Sequence, residues 1–136
     1  QCMGKALDNA GLEPAHIHYL NLHGTATPHN DAMESLAVDT LFGAGLPCSS
    51  SKPMTGHTLG AAGALEAAFC WLSLSRHNPL GLLPPHVWDG QPDPALPELT
   101  LVDGSQRLAT HGPRRLMSNS FAFGGNNVSL ILGDTA

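Results

Sequence analysis

Charged side chains are scarce in this 136-residue chain: Asp, Glu, Lys and Arg make up 12% of it, where a soluble domain usually carries about 25%. So little charge leaves much of the outside uncovered, and part of that surface is expected to meet more protein. With only six Lys and Arg and a formal net charge of -5, no basic face exists for phosphates, which sets aside nucleic-acid binding. Long apolar runs are missing too. None reaches the roughly 18 residues of a membrane span, so no membrane partner is expected. The cysteines, Cys2, Cys48 and Cys70, are odd in number and far apart, which fits reduced thiols in a cytoplasmic protein rather than a disulfide framework. An initiator Met is also lacking: the chain opens at Gln1, inside a helical pattern, and a fragment of a longer protein is expected.

What is present suffices for one core, with 42% hydrophobic residues. Met3, Ala6, Leu7 and Ala10 recur at helical spacing and stop at Gly11, a C-cap residue. Ile17 to Leu22 is a compact apolar run that predicts a buried strand ending at His23-Gly24-Thr25-Ala26-Thr27. Asp31 with Glu34 has the spacing of a capping box, and Met33, Leu36, Ala37, Thr40 and Leu41 then predict the apolar stripe of a surface helix. A short strand over 47–52 leads to Gly56-His57 and to a helix from about Leu59 to Arg76. Glu66 is almost the only polar residue on that helix, so burial all round is expected. Its small first turns predict close approach of other backbone. Residues 78–97 carry six prolines and no period, and predict an irregular surface crossing before strand-like Leu99 to Val102. Residues 114–121 and 128–132, around Gly124-Gly125, predict an antiparallel hairpin. Strands alternating with helices and closing on a hairpin indicate an α/β domain, a mixed sheet layered with helices.

Three segments carry the chemistry: Asn21-Leu22-His23-Gly24-Thr25-Ala26-Thr27, Ser50-Ser51-Lys52-Pro53-Met54-Thr55-Gly56-His57, and Asn119-Ser120-Phe121-Ala122-Phe123-Gly124-Gly125-Asn126-Asn127. In this order and spacing they resemble the β-ketoacyl-[acyl-carrier-protein] synthases, decarboxylating condensing enzymes of the thiolase fold, over most of the C-terminal half of such an enzyme. The resemblance implies an elongating Cys-His-His site, a thiolase-like fold incomplete at its N-terminus, and no cofactor or metal. His23 and His57 would hydrogen-bond the malonyl thioester oxygen as charge develops there, which is usually the largest catalytic contribution. Neutral imidazoles suit that task. Lys52 and Glu66 match positions that support His57. The backbone N–H of Phe123 matches the oxyanion hole and its ring, with Phe121, the gate to the acyl pocket; Thr25, Thr27, Gly124 and Gly125 match substrate-loop positions. Ala122 departs from the pattern, standing where Gly is common, and Asn126 stands where Thr is common. The implied partners are acyl carrier protein, the N-terminal half of the same enzyme, and a second subunit in a homodimer or heterodimer.

The nucleophilic cysteine of the family lies upstream of anything in this chain. Cys48 falls in register with a non-catalytic position, while Cys70 and Cys2 read as packing. His16, His18, His77, His86 and His111 have the settings of structural or surface histidines. A zinc site from His16, His18, His23 and Cys48 lacks a second close pair to complete it. A CoA-dependent thiolase and a non-catalytic chain-length-factor-like subunit are the competing readings. The Phe-rich ending without a second cysteine weighs against the first, and retention of both histidines against the second.

Overall fold

A computed structural model describes residues 1–134. Helix α1 (Cys2–Ala10) ends where expected, with Gly11 at φ 63 closing it in the left-handed region. A 3-10 turn over Pro14–His16 leads to strand β1 (Tyr19–Asn21). Helix α2 (Pro28–Phe42), strand β2 (Cys48–Ser49), a one-turn helix α3 (Lys52–Thr55) and helix α4 (Ala62–Leu74) follow. The chain then crosses without regular structure to strands β3 (Arg114–Phe123) and β4 (Asn126–Asp134). The sheet order is β2-β1-β3-β4. β1 runs parallel to β2 and β3, and β3 pairs antiparallel with β4. Leu99 to Val102 forms no strand, only a single bridge from Leu101 to Cys48. Among the described residues, no helix is long and apolar enough to cross a membrane.

The register divides the core in two, because successive residues of a strand face opposite ways. Leu20, Cys48 and Met117 stand side by side and pack under Met3, Leu7 and Val38 of α1 and α2. Tyr19 and Leu116 face the other way, onto Cys70 and Leu74 of α4 and onto Leu83, Val102 and Leu108 from the long crossing. Helices therefore cover both faces, as expected of a sheet with a parallel centre.

Two helix expectations are corrected. α2 starts at Pro28, with proline in its first turn and Thr27 at the N-cap, so the Asp31 to Glu34 capping box does not form. The buried residues are Glu34, Ser35 and Val38, whereas Met33 and Leu36 are exposed. The helix is rolled to point Glu34 inward, where its carboxylate meets backbone N–H groups at the end of β1. α4 is not buried all round: Trp71 is 59% and Leu72 45% exposed, because the sheet covers only one of its faces. Close approach is confined to Gly63, where an added Cβ would lie 3.0 Å from Ser120 Oγ; at Gly60 nothing lies within 4 Å.

The hairpin turns at Gly124 (φ 57) and Gly125 (φ 83), both positive as a type I′ turn requires. Just before it, between Ser120 and Phe123, the register slips in a bulge, and Ala122 sits there at φ 63. Its N–H is held by Asn127 Oδ1 at 3.0 Å. An Ala at left-handed φ is strained by about 1–2 kcal/mol, and a Gly there loses about 0.4–1 kcal/mol of that advantage through its freer unfolded chain. Ala122→Gly is accordingly expected to stabilise the protein by about 0.5–1 kcal/mol in urea unfolding; an unchanged or lower midpoint would contradict the assignment of strain.

Candidate active site

His23 stands at the C-terminal end of β1, the central parallel strand, and is only 3% exposed. Its position is set through the backbone. Glu34 Oε1 accepts the His23 N–H and Oε2 the Gly24 N–H, both at 2.8 Å. Asn119 Nδ2 of β3 donates to the same carboxylate at 3.1 Å, and Asn30 Nδ2 at 3.3 Å. Burial raises the Glu34 carboxyl above its ordinary range, and these four donors oppose the rise. Gly24 has φ +46, and an added Cβ would fall 2.6 Å from Ser50 Cβ, so only glycine fits here.

From the other side Lys52 reaches under the loop. Its Nζ donates to the carbonyl of His23 and forms an ion pair with Glu66 Oε1 at 2.5 Å. The side chains of the pair are 6% and 2% exposed. The expected pairing of Lys52 with Glu66 is present, but its target differs. The hydrogen bonds of the pair reach the His23 carbonyl and not the His57 imidazole, because Lys52, at the start of α3, points back toward the end of β1. His57 reaches Glu66 only through space, its charge opposing the rise of the carboxyl. Burial raises the Glu66 carboxyl, with the Lys52 ammonium opposing, and its Oε2 is buried without a hydrogen-bond partner.

The imidazoles of His23 and His57 lie 5.5 Å apart, edge to face. Phe121 and Phe123 flank His23 at 6.0 and 5.8 Å, and Phe123 also meets His57 at 5.7 Å. The structure thus brings together four of the predicted residues from β1, the α3–α4 connection and the end of β3. Their electrostatics differ. Burial, then the Lys52 ammonium, then His57 hold the His23 imidazole down at about 4, so it is neutral near pH 7. His57 is exposed, and its Nδ1 accepts the Leu59 N–H at 3.3 Å. A neutral ring that accepts at Nδ1 carries its proton on Nε2, so His57 presents an N–H donor. Thr25 and Thr27 spend their hydroxyls on each other at 2.9 Å. Gly124 and Gly125 form the hairpin turn beyond Phe123.

Among the described residues, the three non-glycine residues at positive φ all flank this group: Ala26 after His23, Leu59 after His57, and Ala122 before Phe123. Strain of this kind concentrates where geometry serves chemistry. The cysteines stand apart from it. Cys48 and Cys70 are fully buried, and burial pushes each thiol up to about 12, far from a thiolate at neutral pH. His16 and His18 each use Nδ1 to accept a backbone N–H. Glu34, Asn119 and Ser50 belong to the site's support and were missed by sequence reasoning. For Glu34 the helix pattern gave no distinct signal, since Asn30, Asp31, Ser35 and Asp39 are polar on the same helix.

Parallel strands closed by an antiparallel hairpin, with helices on both faces and two histidines at the strand and helix ends, make up the C-terminal part of a thiolase-like fold. Solved structures share this fold. A chain of the complex of the ketosynthase ApeO with its chain length factor ApeC, from Xenorhabdus doucetiae, is 51% identical with a TM-score of 0.83, over 98% of this chain and 32% of that one. A beta-ketoacyl synthase from Burkholderia phymatum is 40% identical with a TM-score of 0.85, over 98% of this chain and 31% of that one. The chain belongs to the beta-ketoacyl synthase family: the model of its C-terminal domain matches residues 1–87. Among curated relatives, the 3-oxoacyl-[acyl-carrier-protein] synthase 2 of Coxiella burnetii is 41% identical over 134 residues, 96% of this chain and 31% of that protein. The chain spans about a third of the length of the curated relatives it matches.

Two measurements check the electrostatics. An unfolded chain binds the His23 proton near pH 6.5 but the folded one only near 4. The contribution to stability is thus complete above 6.5 and is lost as pH falls toward 4. The unfolding free energy of the wild type should fall relative to His23→Gln across that window; a constant difference would contradict the buried, neutral imidazole. Lys52→Met, which leaves Glu66 buried and unpaired, should cost about 3–5 kcal/mol, and Lys52→Met with Glu66→Leu should recover much of it. Equal stability of the single and double variants would show that the pair is not coupled.

Proposed function

We propose that this chain forms the histidine side of the active site of a decarboxylating 3-oxoacyl-[acyl-carrier-protein] synthase, as one C-terminal thiolase-like domain (residues 1–136) of a longer enzyme. The observation that carries the reading is the pair of imidazoles 5.5 Å apart, His23 held neutral by its burial and His57 with its N–H on Nε2. A buried neutral imidazole beside a second ring that offers an N–H donor suits an oxygen on which negative charge appears during reaction.

In this reading malonyl-acyl carrier protein places its thioester oxygen between the two N–H donors. The bond from the α-carbon to the carboxylate breaks, carbon dioxide leaves, and the electron pair moves into an enolate whose oxygen both histidines stabilise. That carbanion attacks the carbonyl of an acyl group held as a thioester on a cysteine. The new oxyanion rests on the Phe123 backbone N–H and on the N–H of that cysteine, and the thiolate then leaves. Phe121 and Phe123 gate the acyl pocket, and Thr25, Thr27, Gly124 and Gly125 shape the substrate loop. Lys52 and Glu66 act from behind, fixing the carbonyl of His23.

The nucleophile belongs to the remainder of the enzyme, since Cys48 and Cys70 are buried with their thiols pushed up to about 12. An N-terminal half seated on α4 would also cover its bare outer side, where Trp71 is 59% and Leu72 45% exposed, with Met54 lining the same groove as Leu72. This apolar groove, lined by Met54, Phe69, Leu72 and Pro84 among others, includes Leu72 of that side and contains neither His23 nor His57. Acyl carrier protein as the substrate carrier follows from the names of the synthase relatives. A chain-length-factor-like second subunit is supported by the solved ketosynthase that carries one.

Incubated with radiolabelled acyl-carrier protein, the isolated chain should acquire no thioester; label on Cys48 would refute the assignment of the nucleophile. In the full-length enzyme, His23→Ala should leave loading of the cysteine largely intact while decarboxylation falls by about 100-fold or more. Loss of loading instead would refute the role given to His23.

A further inference from the structure

His86 belongs to the proline-rich crossing and lies far in sequence from both active-site histidines, yet it is built into their support. Its backbone N–H donates to the Val102 carbonyl at 2.8 Å, and its ring meets Trp88 edge to face at 6.0 Å. Pro84 and Pro85 restrict the backbone before it. A second tie holds the same stretch: Ser49 Oγ donates to the Pro84 carbonyl at 2.7 Å, so the Tyr19 hydroxyl is the donor in its own 2.7 Å bond to Ser49. With the main chain fixed in this way, His86 Nδ1 accepts the N–H of Ser50 at 3.1 Å.

Ser50 is 1% exposed and lies directly beneath the His23-Gly24 loop. Its Oγ donates to the Gly24 carbonyl at 3.0 Å and accepts the Lys52 N–H at 3.2 Å. Contact here is close enough that Gly24 has no room for a Cβ. A shift of Ser50 therefore cannot be absorbed locally: it displaces Gly24, and with it His23, or the start of α3 and Lys52.

We infer that His86 is a positioning residue for the histidine pair, holding Ser50 by its Nδ1 lone pair so that Ser50 sets the place of the His23-Gly24 loop and of Lys52. The bond requires a neutral ring, because a protonated Nδ1 donates and repels the Ser50 N–H. Burial lowers the proton affinity of His86, against the opposing influence of the Asp31 carboxylate, which keeps the acceptor available at neutral pH. This role rests on the reading of His23 and His57 as the decarboxylating pair.

The test compares His86→Leu with His86→Asn in the full-length protein. Asn Oδ1 stands as many bonds from Cα as the Nδ1 it replaces. The first readout, independent of activity, is the imidazole resonance of His23 by nuclear magnetic resonance and the pH at which it titrates. His86→Leu should move both, and His86→Asn should restore them. The second readout is kinetic. Decarboxylation of malonyl-acyl carrier protein should fall by about 10- to 100-fold in His86→Leu, as a small misplacement costs, with loading of the cysteine changed by no more than about twofold and His86→Asn close to wild type. An unmoved His23 resonance, a loss that asparagine fails to repair, or a parallel loss of loading would each overturn the inference. If the wild type does not decarboxylate malonyl-acyl carrier protein, the functional reading fails, and the His23 resonance still decides the role of His86. Should the leucine variant not fold, His86→Gln, with its acceptor one bond farther out, takes its place: an unmoved His23 resonance there overturns the inference.

Discussion

The structure depends on one buried cation. Among the described residues Lys52 is the one buried Lys or Arg of a charge-poor protein, and it is enclosed by the Glu66 carboxylate and the carbonyl of His23. Taking an ammonium and a carboxylate out of water costs several kcal/mol each, which only close pairing and further hydrogen bonds offset. The geometry is correspondingly restrictive. α4, which carries Glu66, α3, which begins with Lys52, and the end of β1 must meet at one point, and that point lies directly behind His23.

A second restraint converges on the same loop from the opposite side. Glu34 takes up the N–H groups of His23 and Gly24 while Lys52 takes the His23 carbonyl, so both polar groups of the residue's main chain end on buried charges. Such a loop has little freedom to relax. Positive φ at Ala26, Leu59 and Ala122 is tolerated in this setting, because the surrounding contacts determine the backbone more strongly than local preference does. The result is a buried imidazole that stays neutral and a second imidazole whose N–H is directed by a backbone bond. The proposed stabilisation of negative charge on an oxygen would use both.

The division of apolar surface has its own logic. Sheet and helices bury two clusters on either side of β1 and β3, yet α4 keeps a row of exposed apolar residues. A helix apolar all round is a sequence property, whereas burial on all sides needs a cover on each side. In this chain the sheet supplies one cover, and the proposed N-terminal half would supply the other. The low content of charged residues, 12% of the chain, is consistent with that proposed cover.

Much of the fold was open to reading because it rests on local chemistry. Gly11 ends α1, Gly124-Gly125 turns the hairpin, and the apolar run before His23 forms the central strand, each through residues adjacent in the chain. The two histidines and two phenylalanines were recognisable for the same reason: short motifs surround them. Element ends were less secure, as α2 shows, where Pro28 at the first turn prevailed over the Asp31 to Glu34 spacing. What the amino-acid order alone determined was thus which residues could do chemistry and in what order their strands and helices follow. Only the tertiary structure decided that Glu34 serves the backbone of His23, that Lys52 reaches His23 rather than His57, and that His86 holds Ser50. Those contacts join residues 11, 29 and 36 positions apart, and hydrogen bonds over such separations are set by how the layers pack, which no local pattern encodes.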